Sequence, residues 1–186
     1  MATVNETLLT AEAFLSLGTD EVPEFCELVE GKVIELNVPA PLHGQLCARV
    51  ARHLGNFVEE AACGHVLTND SGVITRRAPD TVRGADVSYY SFSKVPRGLL
   101  PAGYLDAAPE LVVEVLSTGD RWPKTLIKVA EYLDAGVTVV CVVDPEQSSI
   151  HVFRLDGSNA VLHDTDSLTL PNILPGFELP LAKVFG

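Results

Sequence analysis

The sequence predicts an α/β fold, a mixed β-sheet flanked by helices with hairpins toward both ends, and three observations carry that prediction. The first is a strand–helix–strand unit over residues 110–143. It opens on a nearly continuous apolar run around Val112, Val113 and Val115, the pattern of a central strand covered on both faces. Pro123 suits the first turn of the helix that follows, and Gly136 suits its C-terminal end. A second apolar run, residues 138–143, stops at Asp144-Pro145; such a unit crosses over right-handed and pairs its strands in parallel. The second observation is hairpin patterning on either side. Residues 25–37 read as two short strands about a Glu30-Gly31 turn, and residues 149–154 read as a strand returning against 138–143. The third is residues 43–62, where Leu46, Val50, Leu54, Phe57 and Val58 recur at three- and four-residue steps and give a helix with one apolar face.

The remaining elements follow in order. Thr10 caps a short helix over residues 10–17. Two short strands are predicted near 65–68 and 72–76, then a strand around Asp86. Residues 92–108 form a Pro- and Gly-rich loop long enough to be functional or mobile. Residues 160–163 add an edge strand. At 186 residues the expectation is a single domain, 1–186, with a full core. No apolar run reaches membrane-spanning length, and the N-terminus lacks the basic start and apolar stretch of a signal peptide. Cys26, Cys47, Cys63 and Cys141 show no CxxC and no short metal spacing, and three of them lie in apolar surroundings and read as reduced core residues. These features predict a cytoplasmic protein with no membrane partner.

A net charge of −12 argues against simple nucleic-acid binding, which leaves a basic footprint. The distribution is uneven. Residues 1–48 hold one lysine and eight acids, and residues 129–186 hold two basic residues and eight acids. Residues 49–128 hold ten basic residues and nine acids, so the basic residues concentrate in the middle of the chain.

That middle segment carries two acids inside apolar strand runs, Asp86 in Gly84-Ala85-Asp86-Val87 and Glu114 in Val112-Val113-Glu114-Val115. Burying even a neutral polar group without a partner costs about 2–7 kcal/mol, so a carboxylate kept there needs one. Two carboxylates on neighbouring strands, with a main-chain carbonyl such as that of Val115, suit a hard divalent cation, Mg²⁺ or Mn²⁺. Such an ion activates water and neutralises charge in phosphodiester hydrolysis. The plainer alternative is that either acid ends its strand and points to solvent. Lys128 is the candidate to assist the water. A helical wheel places Leu126, Val129, Ala130 and Leu133 on the core face and Lys128 opposite, with Lys124 and Tyr132, from where its long stem reaches a site only at the helix edge. Glu27 and Glu30 flank the hairpin turn and read as solvent-exposed, with Glu30 alternatively a third ligand or a support for Lys128. His43 is either a cap of the long helix or a site residue. Ser117 caps a turn rather than acting as a nucleophile, since no GxSxG surrounds it. The sequence shows no glycine-rich phosphate loop, no HExxH and no zinc pattern.

Taken in order, these segments resemble the Uma-type restriction endonucleases of the PD-(D/E)XK nuclease superfamily. The likeness rests on Cys26-Glu27-Leu28-Val29-Glu30-Gly31, Pro41-Leu42-His43, Arg83-Gly84-Ala85-Asp86-Val87, Glu114-Val115-Leu116-Ser117, the Lys128/Tyr132/Gly136 spacing before Asp144-Pro145, and Leu174-Pro175-Gly176-Phe177. It covers residues 8–185. The resemblance implies a restriction-endonuclease-like sheet, a divalent metal at Asp86 and Glu114, Lys128 in place of the superfamily lysine (Leu116 stands at its usual position), DNA as substrate and a homodimer. Two residues depart from the family pattern. Ala85 replaces a proline, and Lys124 replaces an aspartate, a charge reversal expected to lower the Lys128 pKa and weaken activity. Asp120 is the nearest acid to compensate.

Three functions follow. The leading one is a metal-dependent DNA endonuclease with Asp86 and Glu114 on the metal, Lys128 on the water and Glu30 supporting. The second is a weakened or inactive nuclease-fold protein acting as a binding or regulatory module toward a protein partner, which charge −12 and Lys124 favour. The third is a hydrolase of small phosphoesters.

Overall fold

The structure is a computed structural model, and it describes residues 8–18, 20–117, 119 and 121–186. Helix α1 (Ala11–Leu15) leads into the hairpin β1 (Cys26–Val29) and β2 (Lys32–Glu35), then the long helix α2 (Pro41–Ala61). Strands β3 (Gly64–Arg76), β4 (Thr81–Ser91) and β5 (Leu111–Val115) follow, then helix α3 (Trp122–Asp134) and strands β6 (Val139–Asp144), β7 (Ser149–Arg154) and β8 (Asn159–Leu162). The chain closes with β9 (Ser167–Leu170), β10 (Leu174–Pro180) and α4 (Ala182–Phe185).

Eight strands make one sheet in the order β2-β1-β4-β5-β6-β7-β8, with β3 on β4 as well. The β5–β6 pair is parallel, as the α3 crossover requires, and the other pairs are antiparallel. This is the predicted mixed sheet with terminal hairpins. Strand β3 runs along the whole of one edge of β4. The opposite edge is shared: β1 pairs there at Val82, and β5 pairs from Val87 to Tyr89. Between those contacts no described strand covers β4, so β1 and β5 diverge around residues 83–86.

Helices pack on both faces. Leu46, Val50, Leu54 and Val58 of α2 meet Val87, Val113, Cys141 and Val152 on one side, together with Leu168, Leu174, Phe177 and Leu179 of the β9–β10 hairpin. On the other side Val129 and Tyr132 of α3 meet Ala85, Val112, Val140 and Val142. All four cysteines are free thiols, Cys141 buried and the other three half-buried. No helix among the described residues is long and apolar enough to cross a membrane.

Three elements differ from the sequence reading. The two strands near 65–68 and 72–76 are one strand, β3, interrupted by an irregular step at Asn69 and Asp70, both at positive φ. The C-terminal residues 167–186, which gave no strand signal, form β9, β10 and α4. The Pro175-Gly176 pair breaks the alternation there, and the ladder shifts register across it. Helix α3 is also turned from the predicted wheel: Thr125, Val129 and Tyr132 are its buried residues, whereas Leu126 and Ile127 are 44% and 57% exposed. The reason lies in the polar groups that α3 faces.

Candidate active site

The site forms where β1 and β5 part from β4. Continuing the β4–β5 register, in which Val87 opposes Val113, sets Asp86 opposite Glu114. Both acids are buried. The Val115 backbone N–H donates to Asp86 Oδ2 at 2.6 Å, which ties the Asp86 carboxylate to the end of β5. Neither acid therefore points freely to solvent.

Glu114 is met by α3. The Tyr132 hydroxyl donates to Glu114 Oε1 at 2.7 Å, and Lys128 Nζ stands 3.5 Å from Oε2. The same Nζ lies 2.9 Å from Glu27 Oε1. Lys128 is thus on the inward face of α3, and the polar partners explain the rotation. Leaving Glu114 and Glu27 without donors costs more than exposing Leu126 and Ile127, since an unsatisfied buried acceptor costs about 1–3 kcal/mol, and more when charged.

Glu27, on β1, is a buried acid at the centre of the cluster and not the exposed turn residue expected. Its Oε1 accepts from the Gly84 N–H at 3.1 Å and its Oε2 from Arg83 Nη1 at 2.8 Å, filling the uncovered edge of β4 with a side chain in place of a strand. Arg83 in turn donates to both oxygens of Glu131, at 2.6 and 3.0 Å. Gly84 is needed here: a Cβ on it would lie 2.9 Å from the Asp70 Cβ across the pair. Glu30 is elsewhere. It occupies the turn at φ 51°, exposed, with its carboxylate 2.8 Å from Arg76 Nη2. The supporting place that Glu30 was expected to fill is held by Glu27, which the rule that found Asp86, an acid within an apolar strand run, also singles out.

From the other face α2 contributes its first turns. Ala40 is the cap and Pro41 opens the helix, so His43 is not a capping residue. Its Nε2 stands 3.2 Å from Asp86 Oδ2, and Cys47 Sγ lies 3.6 Å from its Nδ1.

The electrostatics follow from these contacts. Burial pushes the Glu114 carboxyl up to about 7, and the Asp86 charge adds to that, against the opposing pull of Lys128 and the Tyr132 hydrogen bond. Burial also opposes the charge on Lys128, but Glu114 and Glu27 outweigh it and hold the ammonium above its usual range. The expected lowering of Lys128 by Lys124 is therefore not the net result; Lys124 is solvent-exposed. Burial acts against ionised Glu27 too, and Lys128 and Arg83 more than reverse it. The hydrogen bond to Asp86 lifts His43 to about 10. Asp120 lies outside the described residues.

The Uma2 family, whose description reads "Putative restriction endonuclease", matches residues 11–182. The chain belongs to this family. Among solved structures, a putative nuclease belonging to DUF820 from Anabaena variabilis superposes with a TM-score of 0.78 at 20% identity, covering 95% of this chain and 97% of that one. That likeness establishes the shared fold. No curated protein matches the sequence. Within the Uma2 chain described here, Asp86, Glu114 and Lys128 come together, and Glu27, Arg83, Tyr132 and His43 join them.

Proposed function

We propose that this protein is a metal-dependent DNA endonuclease, with Asp86 and Glu114 as the carboxylates that hold Mg²⁺ or Mn²⁺ and the Val115 carbonyl beside them. The observation that carries the reading is the convergence of two strand-borne acids and one lysine at the β1/β5 divergence. The residues fit such an ion. The donors at Glu114 and Asp86 are carboxylate oxygens, the ligand type hard cations prefer. Four acids (Asp86, Glu114, Glu27, Glu131) face three cationic groups (Lys128, Arg83, His43). When bound, the ion would activate water and neutralise charge on the scissile phosphate.

The chain's own residues have separable tasks. Lys128 keeps its proton, so it acts as a fixed cation and hydrogen-bond donor toward the attacking water and the developing charge, not as a base. Glu27 sets the position of that ammonium. Arg83 sets Glu27, and Tyr132 sets Glu114, so Lys128 works from a preorganised frame. DNA is the substrate in this reading and a homodimer its working form. The net charge of −12 favours the second reading, a binding or regulatory module on the nuclease fold.

Cleavage of supercoiled plasmid at low salt with Mg²⁺ or Mn²⁺ separates the two. Nicking by the unmodified protein that Asp86→Ala and Glu114→Ala abolish is the expected result; a chain that neither nicks nor binds either ion supports the module.

A further inference from the structure

His43 and Cys47, which the hydrolytic scheme does not use, form a second constellation with Asp86. We propose that they bind a borderline transition-metal ion of the zinc class, through His43 Nε2, Cys47 Sγ and one Asp86 oxygen. The pairing is built by spacing: residues 43 and 47 lie one turn apart on α2 and share a face, which turns both toward Asp86 on β4. The three ligand atoms all lie within 4.8 Å of one another. His43 Nε2 stands 3.2 Å from Asp86 Oδ1 and 3.9 Å from Cys47 Sγ. Ordinary zinc bond lengths, about 2.0–2.3 Å, give tetrahedral edges of about 3.3 Å between nitrogen and oxygen and about 3.5 Å between nitrogen and sulfur. Two of the three edges are therefore close to those of one coordination polyhedron before any ion is added, and the third, between Cys47 Sγ and Asp86, lies within 4.8 Å.

The donor chemistry chooses the class of ion. A thiolate and an imidazole select zinc or cobalt over magnesium, which takes oxygen ligands. Three protein ligands leave a fourth position for water, the pattern of open zinc sites. All three ligands are buried or half-buried, and Asp70 lies near enough to interact electrostatically with Cys47, His43 and Asp86, adding negative charge around the position. Loading exchanges the Cys47 thiol proton and the proton shared by His43 and Asp86 for the ion, and both protons pass to solvent.

Asp86 is common to this site and to the proposed hydrolytic one, so a zinc-class ion and magnesium compete for one carboxylate. That consequence rests on the nuclease reading, whereas the site itself does not.

The test is a Co²⁺ titration of the reduced protein, read by thiolate-to-cobalt charge-transfer absorption in the near ultraviolet. The expected result is a band that saturates at one equivalent and is bleached by Zn²⁺. Cys47→Ser and His43→Ala should each remove it, Cys63→Ser should keep it, and Asp86→Asn should weaken affinity at least about tenfold, the smallest loss expected when even an outer partner of a ligand is removed. Should one of the α2 variants fail to fold by circular dichroism, the other carries the test. No band in the unmodified protein, or a band that survives Cys47→Ser, overturns the proposal. Because no DNA is present, failure of the nuclease reading leaves this outcome unaffected.

Discussion

The two helices that cover the sheet do so in opposite ways. Helix α2 buries Leu46, Val50, Leu54 and Val58, a stripe of aliphatic side chains at helical spacing, against a large apolar cluster. Helix α3 turns Thr125, Lys128, Val129 and Tyr132 inward and leaves Leu126 and Ile127 in solvent. The first face is held by area removed from water, and the second by a few charges that satisfy one another in a gap of the sheet. Where a helix's burial contradicts its hydrophobic pattern, as in α3, polar partners rather than apolar area decide how it sits.

Substitutions can break that contrast. Arg83→Met should have the largest effect, since it strips the buried Glu27 and the half-buried Glu131 of their guanidinium; removing one partner of a buried pair costs about 3–5 kcal/mol. Urea unfolding would measure it, and cleavage should fall as well, because Glu27 no longer places Lys128. Leu54→Ala on the other face should cost about 2–5 kcal/mol by the cavity it leaves. Cleavage per folded molecule should stay unchanged, which is what separates the two faces. If Leu54→Ala abolished cleavage at full occupancy of the fold, the division of labour would be wrong.

Tyr132→Phe is a finer probe. It removes only the hydroxyl that donates to Glu114 Oε1, so about 1–3 kcal/mol should be lost from stability, and isothermal titration should show weaker Mg²⁺ or Mn²⁺ binding. A charged network away from the site supplies the control. Asp80 accepts the backbone N–H of Ala11 at 2.8 Å, which lowers its pKa, helped by Ala78 N–H and Arg77 and opposed by burial. Its folded value is depressed, so its stabilising contribution is present above the ordinary carboxylate pKa and is lost as pH falls through the folded value. Asp80→Asn should flatten the acid limb of a stability-versus-pH curve, with metal binding at neutral pH unchanged. The smallest effect belongs to Leu126→Ser, on the solvent side of α3, within about 0.5 kcal/mol of the parent.

The same contrast explains what could be read in advance. The strand–helix–strand unit, both hairpins and α2 were legible because their burial follows local periodicity. Asp86 and Glu114 were legible because acids are costly in such runs. Glu27 was passed over because turn acids are usually exposed, and nothing local shows that β1 ends beside an uncovered stretch of β4. The wheel for α3 counted apolar residues, and only the tertiary partners of Lys128 and Tyr132 reverse it. The C-terminal β9–β10 pair was hidden by proline and glycine in β10, where a register shift absorbs them.

The antiparallel ladder between β4 and β5, which ends at Val87 and Val113, brings the adjoining Asp86 and Glu114 together by pairing, not through the covalent path of residues 92–108 that joins them, whose Leu99 stands fully in solvent. The chain can therefore be opened in that loop with one acid on each piece. Residues 1–98 would carry Glu27, Arg83 and Asp86, and residues 99–186 would carry Glu114, Lys128 and Tyr132. Two fragments that reassemble on the ladder would rebuild the cluster between them, so the fold lends itself to a split protein whose activity reports the meeting of its halves.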